Sequence, residues 1–203
     1  LLISAARDHF SNNGWLLQET FVMEDLKMED GPVSYQGLRA KKIIFCEGQT
    51  AQKNPFFDFV PFVPAKGEVL LLDIPTLDKN FIYKNKLTFA PLPSGLFWVG
   101  SNYEWNPSDD MVSVTGKQFL QEQCESLLQG AFEIKDHLSA IRPTMKDRRP
   151  VIGAHPLYPQ LFMFNGFGTK GASLIPFWSR HFAEHLISDK SIDHEVSISR
   201  FYP

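Results

Sequence analysis

The spacing of apolar residues divides the amino-terminal part of the chain into one helix and a set of short strands. Four apolar residues recur at helical spacing before Asn12-Asn13-Gly14 and predict a helix over residues 1–10. They are Leu2, Ala5, Ala6 and Phe10. The segments that follow are short, rich in strand-forming residues and separated by turn residues, which predicts a small antiparallel layer. We expect its strands at 15–19, 20–23, 33–35 and 37–40.

The sequence pattern predicts strands of two kinds in the middle of the chain. Residues 42–46 hold an unbroken apolar run closed by Gly48, which is typical of a strand buried on both faces of a parallel sheet. Residues 54–64 form an irregular linker rich in proline and phenylalanine. Beyond it, an antiparallel sheet is expected to begin near residue 61, with strands at 68–73, 86–91 and 96–101.

Two amphipathic helices are predicted in the rest of the chain. The first covers residues 115–129, because its apolar residues fall on one stripe and Gly130 follows as a stop. That stripe contains Phe119, Leu120, Gln123, Cys124, Leu127 and Leu128. The second covers about 171–187, with Leu174, Trp178, Phe182 and Leu186 in its stripe. Strands at 138–143, 151–153 and 161–165 separate the two helices, so the pattern predicts an α+β fold.

Composition and charge narrow the class of protein. With 203 residues, 43% hydrophobic and 21% charged, the chain is an ordinary globular protein and neither disordered, collagen-like nor a coiled coil. Its formal charge of -3 supplies no basic field for nucleic acid, so we expect no nucleic-acid partner. The apolar runs are far shorter than the roughly 20 residues of a membrane-spanning helix, and no membrane partner is expected. Only Cys46 and Cys124 are present, which favours a reducing cytoplasm.

A glycine-rich turn is the first candidate binding motif. Residues 166–171 read G-x-G-x-x-G between a predicted strand and a predicted helix, which is the local context of a dinucleotide fingerprint. Too few residues follow for the further strands of a doubly wound sheet, so a dinucleotide fold built on this motif is disfavoured. Two interpretations stay open. The turn lets an electron-rich ligand approach the N-terminus of the next helix, or it is an ordinary tight turn.

Two other groups of polar residues carry candidate chemistry. His181 and His185 have the H-x-x-E-H spacing of a zinc-protease motif, yet both lie off the apolar stripe, which favours a solvated face and no metal. Arg142 ends an apolar strand, where a guanidinium must reach solvent or find an anionic partner such as a carboxylate. Tyr103 and Trp105 either wall a pocket or belong to the core, and strand aromatics favour the core. Residues 146–149 are expected to form an exposed charged turn.

The order of these motifs resembles the later part of FAD-dependent oxidoreductases of the D-amino acid oxidase and glycine oxidase family. The resemblance covers essentially the whole chain and rests most on three stretches. These are I-R-P-T-M-K-D at 141–147, P-V-I-G at 150–153 and N-G-F-G-T-K-G at 165–171. It implies the remainder of an FAD-binding α/β domain plus an antiparallel-sheet substrate domain with flanking helices. The implied division is 1–60 and 143–203 for FAD binding and 61–142 for substrate.

The resemblance also implies where FAD would bind. Val22 would lie beside the adenine and Gly48 near the pyrophosphate. The flavin ring would be lined by Gly168, Thr169, Lys170 and Gly171. The family's true dinucleotide fingerprint lies in an amino-terminal Rossmann segment that this sequence does not contain. We therefore expect that segment of the same protein as a partner, and expect the chain alone to be inactive and to hold FAD weakly.

The implied chemistry is oxidation of the C–N bond of an amino acid or secondary amine by hydride transfer to flavin. Arg142 matches the arginine that binds the substrate carboxylate in amino acid oxidising members, which makes it the candidate catalytic residue. Thr88 stands where glycine oxidases present a tyrosine, and Thr169 stands where their turn carries a second arginine. Tyr103 and Trp105 in the loop after Gly100 suggest a bulkier or more apolar substrate. The alternative is a non-catalytic module of this fold that binds a carboxylate ligand or a partner protein.

Overall fold

The computed structural model describes residues 2–28 and 31–202, with the side chain of Leu2 left aside. The chain forms two compact units, Leu1–Ile43 and Ile44–Pro203. Among the described residues, every helix is too short or too polar to cross a membrane. The functional division into 1–60, 61–142 and 143–203 stays a prediction.

The first unit contains the predicted helix and a small antiparallel sheet. Helix α1 spans Leu2–Asn12, and a short 3-10 helix spans Met23–Asp25. The sheet has the order β1-β2-β3, formed by Leu26–Met28, Val33–Tyr35 and Leu38–Ala40. The predicted strands at 33–35 and 37–40 are thereby confirmed.

The strands predicted at 15–19 and 20–23 are wrong. Residues 15–22 have no regular secondary structure, and Trp15 and Leu17 are exposed. A strand needs a neighbouring edge and a face to bury, and strand-forming residue types alone supply neither. In α1, Ala5, Ala6 and Phe10 of the predicted apolar stripe are also exposed.

The second unit is built on a six-stranded antiparallel sheet of order β10-β5-β8-β7-β6, with β9 paired to β5. The register places Leu72 opposite Phe97 and Phe89 opposite Val99. The strands are β5 (Ala65–Asp73), β6 (Tyr83–Lys84), β7 (Thr88–Pro91), β8 (Phe97–Gly100), β9 (Glu104–Trp105) and β10 (Glu133–Arg142). This confirms the predicted sheet. Strand β10 starts before the predicted residue 138, because its first half is polar and half-solvated.

One face of this sheet carries helix α2, which spans Val114–Leu127 close to its predicted bounds. Leu120 and Cys124 of the helix are fully buried against Leu70 and Leu72 of β5. Since side chains alternate along a strand, Ala65, Gly67 and Val69 of β5 belong to the opposite face. The sheet therefore has one face packed against α2 and a second face that carries Gly67.

A second layer in this unit joins a three-stranded sheet to the last helix. The sheet has the order β11-β12-β4, formed by Val151–Ala154, Leu161–Asn165 and Ile43–Phe45. Helix α3 spans Gly171–Ser188, and its predicted stripe packs on Ile152 and Phe162. Two further 3-10 helices, Gly48–Lys53 and Ile198–Phe201, flank this layer in sequence.

Two expectations about this layer are decided by the structure. Ile44 of β4 is exposed, so the predicted burial of that strand on both faces is wrong. Strands β11 and β12 are antiparallel, and no strand follows α3 in the described chain up to residue 202. A dinucleotide fold based on the G-x-G-x-x-G turn is thereby excluded, because it needs parallel βαβ units.

A buried carboxylate fixes the start of α2. Ser113 caps the helix by accepting the Gly116 N–H at 2.9 Å, and Glu68 accepts the Ser113 N–H at 3.0 Å and hydroxyl at 2.7 Å. Glu68 is 1% exposed and lies 2.8 Å from the imidazole of His137. Burial raises the pKa of Glu68, but the Ser113 hydrogen bonds and the charges of His137 and Lys66 outweigh it and lower the pKa overall.

Replacing Leu120 by alanine should destabilise the second unit by about 2–5 kcal/mol, because the fully buried side chain leaves a cavity under α2. Denaturant unfolding measures this loss. Val114→Ala on the same helix is the control, and its exposed side chain predicts a change within about 0.5 kcal/mol. Equal losses in the two variants would contradict the packing of α2.

Acid should weaken the parent protein more than Glu68→Gln. Because folding lowers the pKa of Glu68, its ionised form stabilises the fold fully above its ordinary pKa, and this contribution is lost as the pH falls through the lowered value. The difference in unfolding free energy between parent and Glu68→Gln is expected to shrink between about pH 5 and pH 3. Denaturant unfolding at each pH measures it, and a constant difference would refute the assignment.

Candidate functional site

A cavity of about 350 Å³ in the second unit lies where β12 leads into α3. Tyr103 and Trp105 form its aromatic wall, and Arg148 and Lys170 bring positive charge to it. The remaining lining is Thr144, Gly166, Phe167, Gly168 and Thr169. Aromatic surface with a few polar groups is the usual composition of a small-ligand site. The core placement favoured for Tyr103 and Trp105 is wrong, since both are half-exposed.

The glycine turn brings backbone to the cavity surface. Gly166 and Gly168 have positive φ values of 79° and 52°, which side-chain-bearing residues rarely adopt. A Cβ on Gly166 would lie 2.7 Å from Met145 Cγ. The Gly168 N–H donates to the Pro143 carbonyl at 3.2 Å and holds the turn beside the end of β10. Main chain at the cavity surface can therefore be approached closely by a ligand.

The same turn has a positive electrostatic potential. A 3-10 helix over Gly168–Lys170 leads directly into α3, and no side chain caps the N-terminus of α3. The first N–H groups of a helix carry partial positive charge and attract electron-rich groups. With Arg148 and Lys170 in the lining, the turn favours an anionic or electron-rich edge of a ligand.

Asn165 joins this turn to the segment that contains Gly48. Its side chain is 3% exposed, donates to the Gly48 carbonyl at 2.9 Å and accepts the Gly166 N–H at 2.8 Å. Gly48 has a φ of 60° and begins the 3-10 helix Gly48–Lys53. Two of the segments predicted to hold a cofactor are therefore held together by one buried amide.

Val22 lies in the first unit, where its N–H donates to the Tyr35 hydroxyl at 3.1 Å. Phe21 beside it stacks on the same tyrosine ring at 4.5 Å. The local backbone at Val22 is thus fixed by the small sheet.

Arg142 ends β10 on the face of the large sheet away from α2. Its Nη2 donates to the Ser101 hydroxyl at 2.7 Å, and its guanidinium carbon lies 4.6 Å above the Tyr103 ring. The group rests on Gly67, where a Cβ would be 2.0 Å from Nη2. Its Nη1 is buried and has no hydrogen-bond partner among the described residues. A buried charged donor without a partner is costly, so this nitrogen is suited to receive an anionic ligand.

Thr88 belongs to the same face as Arg142. Phe89 and Val99 are buried in the core under α2, so their neighbours Thr88 and Gly100 lie on the opposite face. The register places Thr88 directly opposite Gly100. Of the predicted pocket residues, Tyr103 contacts both Arg142 and the cavity, and Thr88 shares the sheet face.

The two histidines of the H-x-x-E-H motif hold the segment after α3. His181 Nε2 accepts the Asp193 N–H at 3.1 Å, and His185 Nδ1 makes a hydrogen bond with the Lys190 carbonyl at 2.7 Å. Within the described residues no three potential ligands converge on a metal site. The motif therefore has a structural use.

Sequence reasoning missed Arg148, Ser101 and Asn165. Arg148 was expected only as part of an exposed turn, but it adopts a φ of 59° and lines the cavity. Ser101 belongs to no motif, and Asn165 opens the 165–171 stretch without a predicted role of its own. Their partners lie 41 and 117 residues away in sequence. The one usable signal was the pair of prolines around residues 144–149, which indicates a constrained turn.

Comparison with known proteins places these features in a family. A family profile described as FAD dependent oxidoreductase matches residues 1–185. Glycine oxidase of Bacillus subtilis (strain 168) is 29% identical over 141 residues, which are 67% of this chain and 36% of that protein. The chain thus spans about a third of the curated relative that it matches.

Solved structures agree in fold. Glycine oxidase from Geobacillus kaustophilus is similar with a TM-score of 0.67 and 22% identity, over 83% of this chain and 48% of that one. Iminodiacetate oxidase from Chelativorans sp. BNC1 is similar with a TM-score of 0.69 and 22% identity, over 88% and 52%. The α+β fold predicted from the resemblance is confirmed, and the chain belongs to the DAO family of FAD-dependent oxidoreductases.

Proposed function

We propose that this chain contributes the substrate-binding face and part of the FAD site of an enzyme that oxidises the C–N bond of an amino acid or secondary amine. The observation that supports it best is the buried, unpartnered Nη1 of Arg142. A carboxylate would accept hydrogen bonds from this nitrogen in the two-pronged geometry that arginine favours. Glycine oxidase and iminodiacetate oxidase, to which the chain is similar, are named for amines that carry carboxylates.

The cofactor of the family is FAD, and the positive charge at the glycine turn suits the electron-rich edge of a flavin. We propose that the flavin end lies against Gly168, Thr169, Lys170 and Gly171, with Gly48 near the pyrophosphate. The adenine contact at Val22 stays a prediction. Bound FAD supplies the two-electron acceptor for the reaction. The N-terminus of α3, which no side chain caps, would stabilise negative charge on a flavin bound there. The solved relatives are about twice as long, so we propose that a dinucleotide-binding segment outside these 203 residues completes the site.

The residues of this chain would bind and orient the substrate. Arg142 would fix the carboxylate, while Ser101 and Tyr103 keep its guanidinium in one position. A substrate whose carboxylate is fixed presents its amine carbon in one orientation. Such orientation is a main contribution of a binding site to catalysis. The chain would thus act by positioning the substrate.

The size of the substrate is a further part of the proposal. Thr88 and Thr169 are smaller than the tyrosine and arginine expected of a glycine oxidase. Thr169 lines the cavity, and Thr88 shares the sheet face of Arg142. The rings of Tyr103 and Trp105 add apolar wall to the cavity. We therefore propose an amino acid or secondary amine bulkier than glycine.

An anaerobic reduction assay distinguishes an enzyme from a non-catalytic module. The longer protein with its FAD is mixed with N-alkylated amino acids and, as matched controls, with the same amines lacking the carboxylate. The amino acids are expected to bleach the visible flavin absorbance and the decarboxylated amines to be slower by about tenfold or more, the value of one charge-assisted contact. A spectrum unchanged by every amine would refute the oxidoreductase proposal.

Arg142→Lys should weaken carboxylate binding, because lysine cannot reproduce the forked contact. Sodium acetate is titrated while the side-chain N–H signal of Arg142 is followed by NMR in the parent, and acetate-dependent backbone shifts are followed in the variant. The dissociation constant is expected to rise about tenfold or more. Arg180→Lys, on an exposed part of α3, is the control and should bind like the parent. Equal acetate affinity in all three proteins would contradict the carboxylate site.

A further inference from the structure

A buried lysine lies near the start of β5, on the face of the sheet that carries α2. The side chain of Lys66 is 5% exposed, and a charge so buried needs partners. Its ammonium lies 2.9 Å from Glu104 Oε2 and 3.7 Å from Asp109 Oδ1, and it donates to the Met111 carbonyl at 3.3 Å. The hydrogen bond to Glu104 raises the pKa of Lys66 despite its burial, so the group stays protonated. All three partners belong to residues 101–113, called here the 101–113 segment.

Neighbouring groups of β5 hold both ends of the 101–113 segment. The Glu68 N–H donates to Asn102 Oδ1 at 2.6 Å, and the Glu68 carboxylate accepts both hydrogen bonds from Ser113. Ser139 of β10 adds a hydrogen bond to the Asp110 carbonyl. The pairing of β9 with β5 also places the Glu104 backbone opposite Lys66. Lys66 therefore supplies the side-chain ion pair to a segment whose backbone is already tied to β5.

Alternate residues at the start of the 101–113 segment point in opposite directions. Asn102 and Glu104 contact β5, through the Glu68 N–H and Lys66. Ser101 and Tyr103 contact Arg142, through a hydrogen bond and a ring face. Residues 101–104 thus connect the buried charge of Lys66, on the face of the sheet that carries α2, to the Arg142 guanidinium on the other face.

The exposure of Glu104 and Asp109 indicates that Lys66 has a positioning role and not a stabilising one. Glu104 is 47% exposed, and an ion pair so open to water adds little to global stability. Removing Lys66 would still leave the buried carboxylate of Glu68 with its two hydrogen bonds from Ser113, and Asp109 is exposed. The ion pair can control the position of the Glu104 side chain, and with it the positions of Tyr103 and Ser101.

We propose that Lys66 is a positioning residue that holds the 101–113 segment through Glu104 and thereby fixes Arg142 for carboxylate binding from the opposite face of the sheet. The inference rests on the proposed carboxylate site at Arg142. It assigns an effect on ligand affinity to a residue on the other face of the sheet from the guanidinium.

Hydrogen–deuterium exchange tests the hold on the segment. Lys66→Met is compared with Lys66→Arg, which keeps the charge, and with Lys135→Met, which removes the lysine of an exposed ion pair with Glu133. Exchange in the 101–113 segment is expected to be about tenfold faster in Lys66→Met alone, while β8 stays as slow as in the parent. Unchanged exchange in the segment, or an equal rise in Lys135→Met, would overturn the proposal. Should Lys66→Met not fold, Glu104→Ala removes the same contact from its exposed side, with the same expectation.

Acetate titration of the same variants tests the effect on Arg142. Lys66→Met should bind acetate at least about fivefold more weakly, and Lys66→Arg should restore the parent affinity. If Lys66→Met speeds exchange in the 101–113 segment but binds acetate as tightly as the parent, the positioning role is overturned. A parent that binds no acetate at Arg142 would refute the carboxylate site itself, and the exchange experiment alone would then decide whether Lys66 holds the segment.

Discussion

The contact between the Arg142 guanidinium and the bare backbone of Gly67 is the constraint on which the site depends. A side chain at Gly67 would occupy the space that Arg142 now fills. With the guanidinium laid flat on the sheet, Ser101 and Tyr103 engage one side of it and leave Nη1 without a partner. An arginine that reached into solvent instead would bind carboxylates no better than any surface arginine.

The two faces of β5 make this arrangement possible. The face toward α2 holds the apolar core together with Lys66 and Glu68, whose charges are satisfied by the 101–113 segment and by the cap of α2. The other face holds Gly67, which leaves space for the Arg142 guanidinium, and, across the sheet, Gly100 and Thr88. Packing on one side thus gives rigidity to binding groups on the other, which a functional site needs from its supporting structure.

Periodicity predicted the parts of the fold whose burial is decided locally. The bounds of β12 and of α3, and the stripe of Phe182, followed from spacing alone. It was wrong at residues 15–23 and at Ile44, where burial depends on surroundings that a local pattern does not contain. The order of motifs pointed to Arg142 and the glycine turn. No role was predicted for Arg148, Ser101 or Lys66, because their contacts join residues far apart in sequence.

A crystal structure of the FAD-loaded longer protein with N-methylglycine bound tests the central claim most directly. The distance between the ligand carboxylate and Arg142 Nη1 decides it. The account predicts a separation of about 3 Å, with Ser101 and Tyr103 still in contact with the guanidinium. A carboxylate bound elsewhere, or Nη1 taken up by another protein group while the ligand is bound, would contradict it.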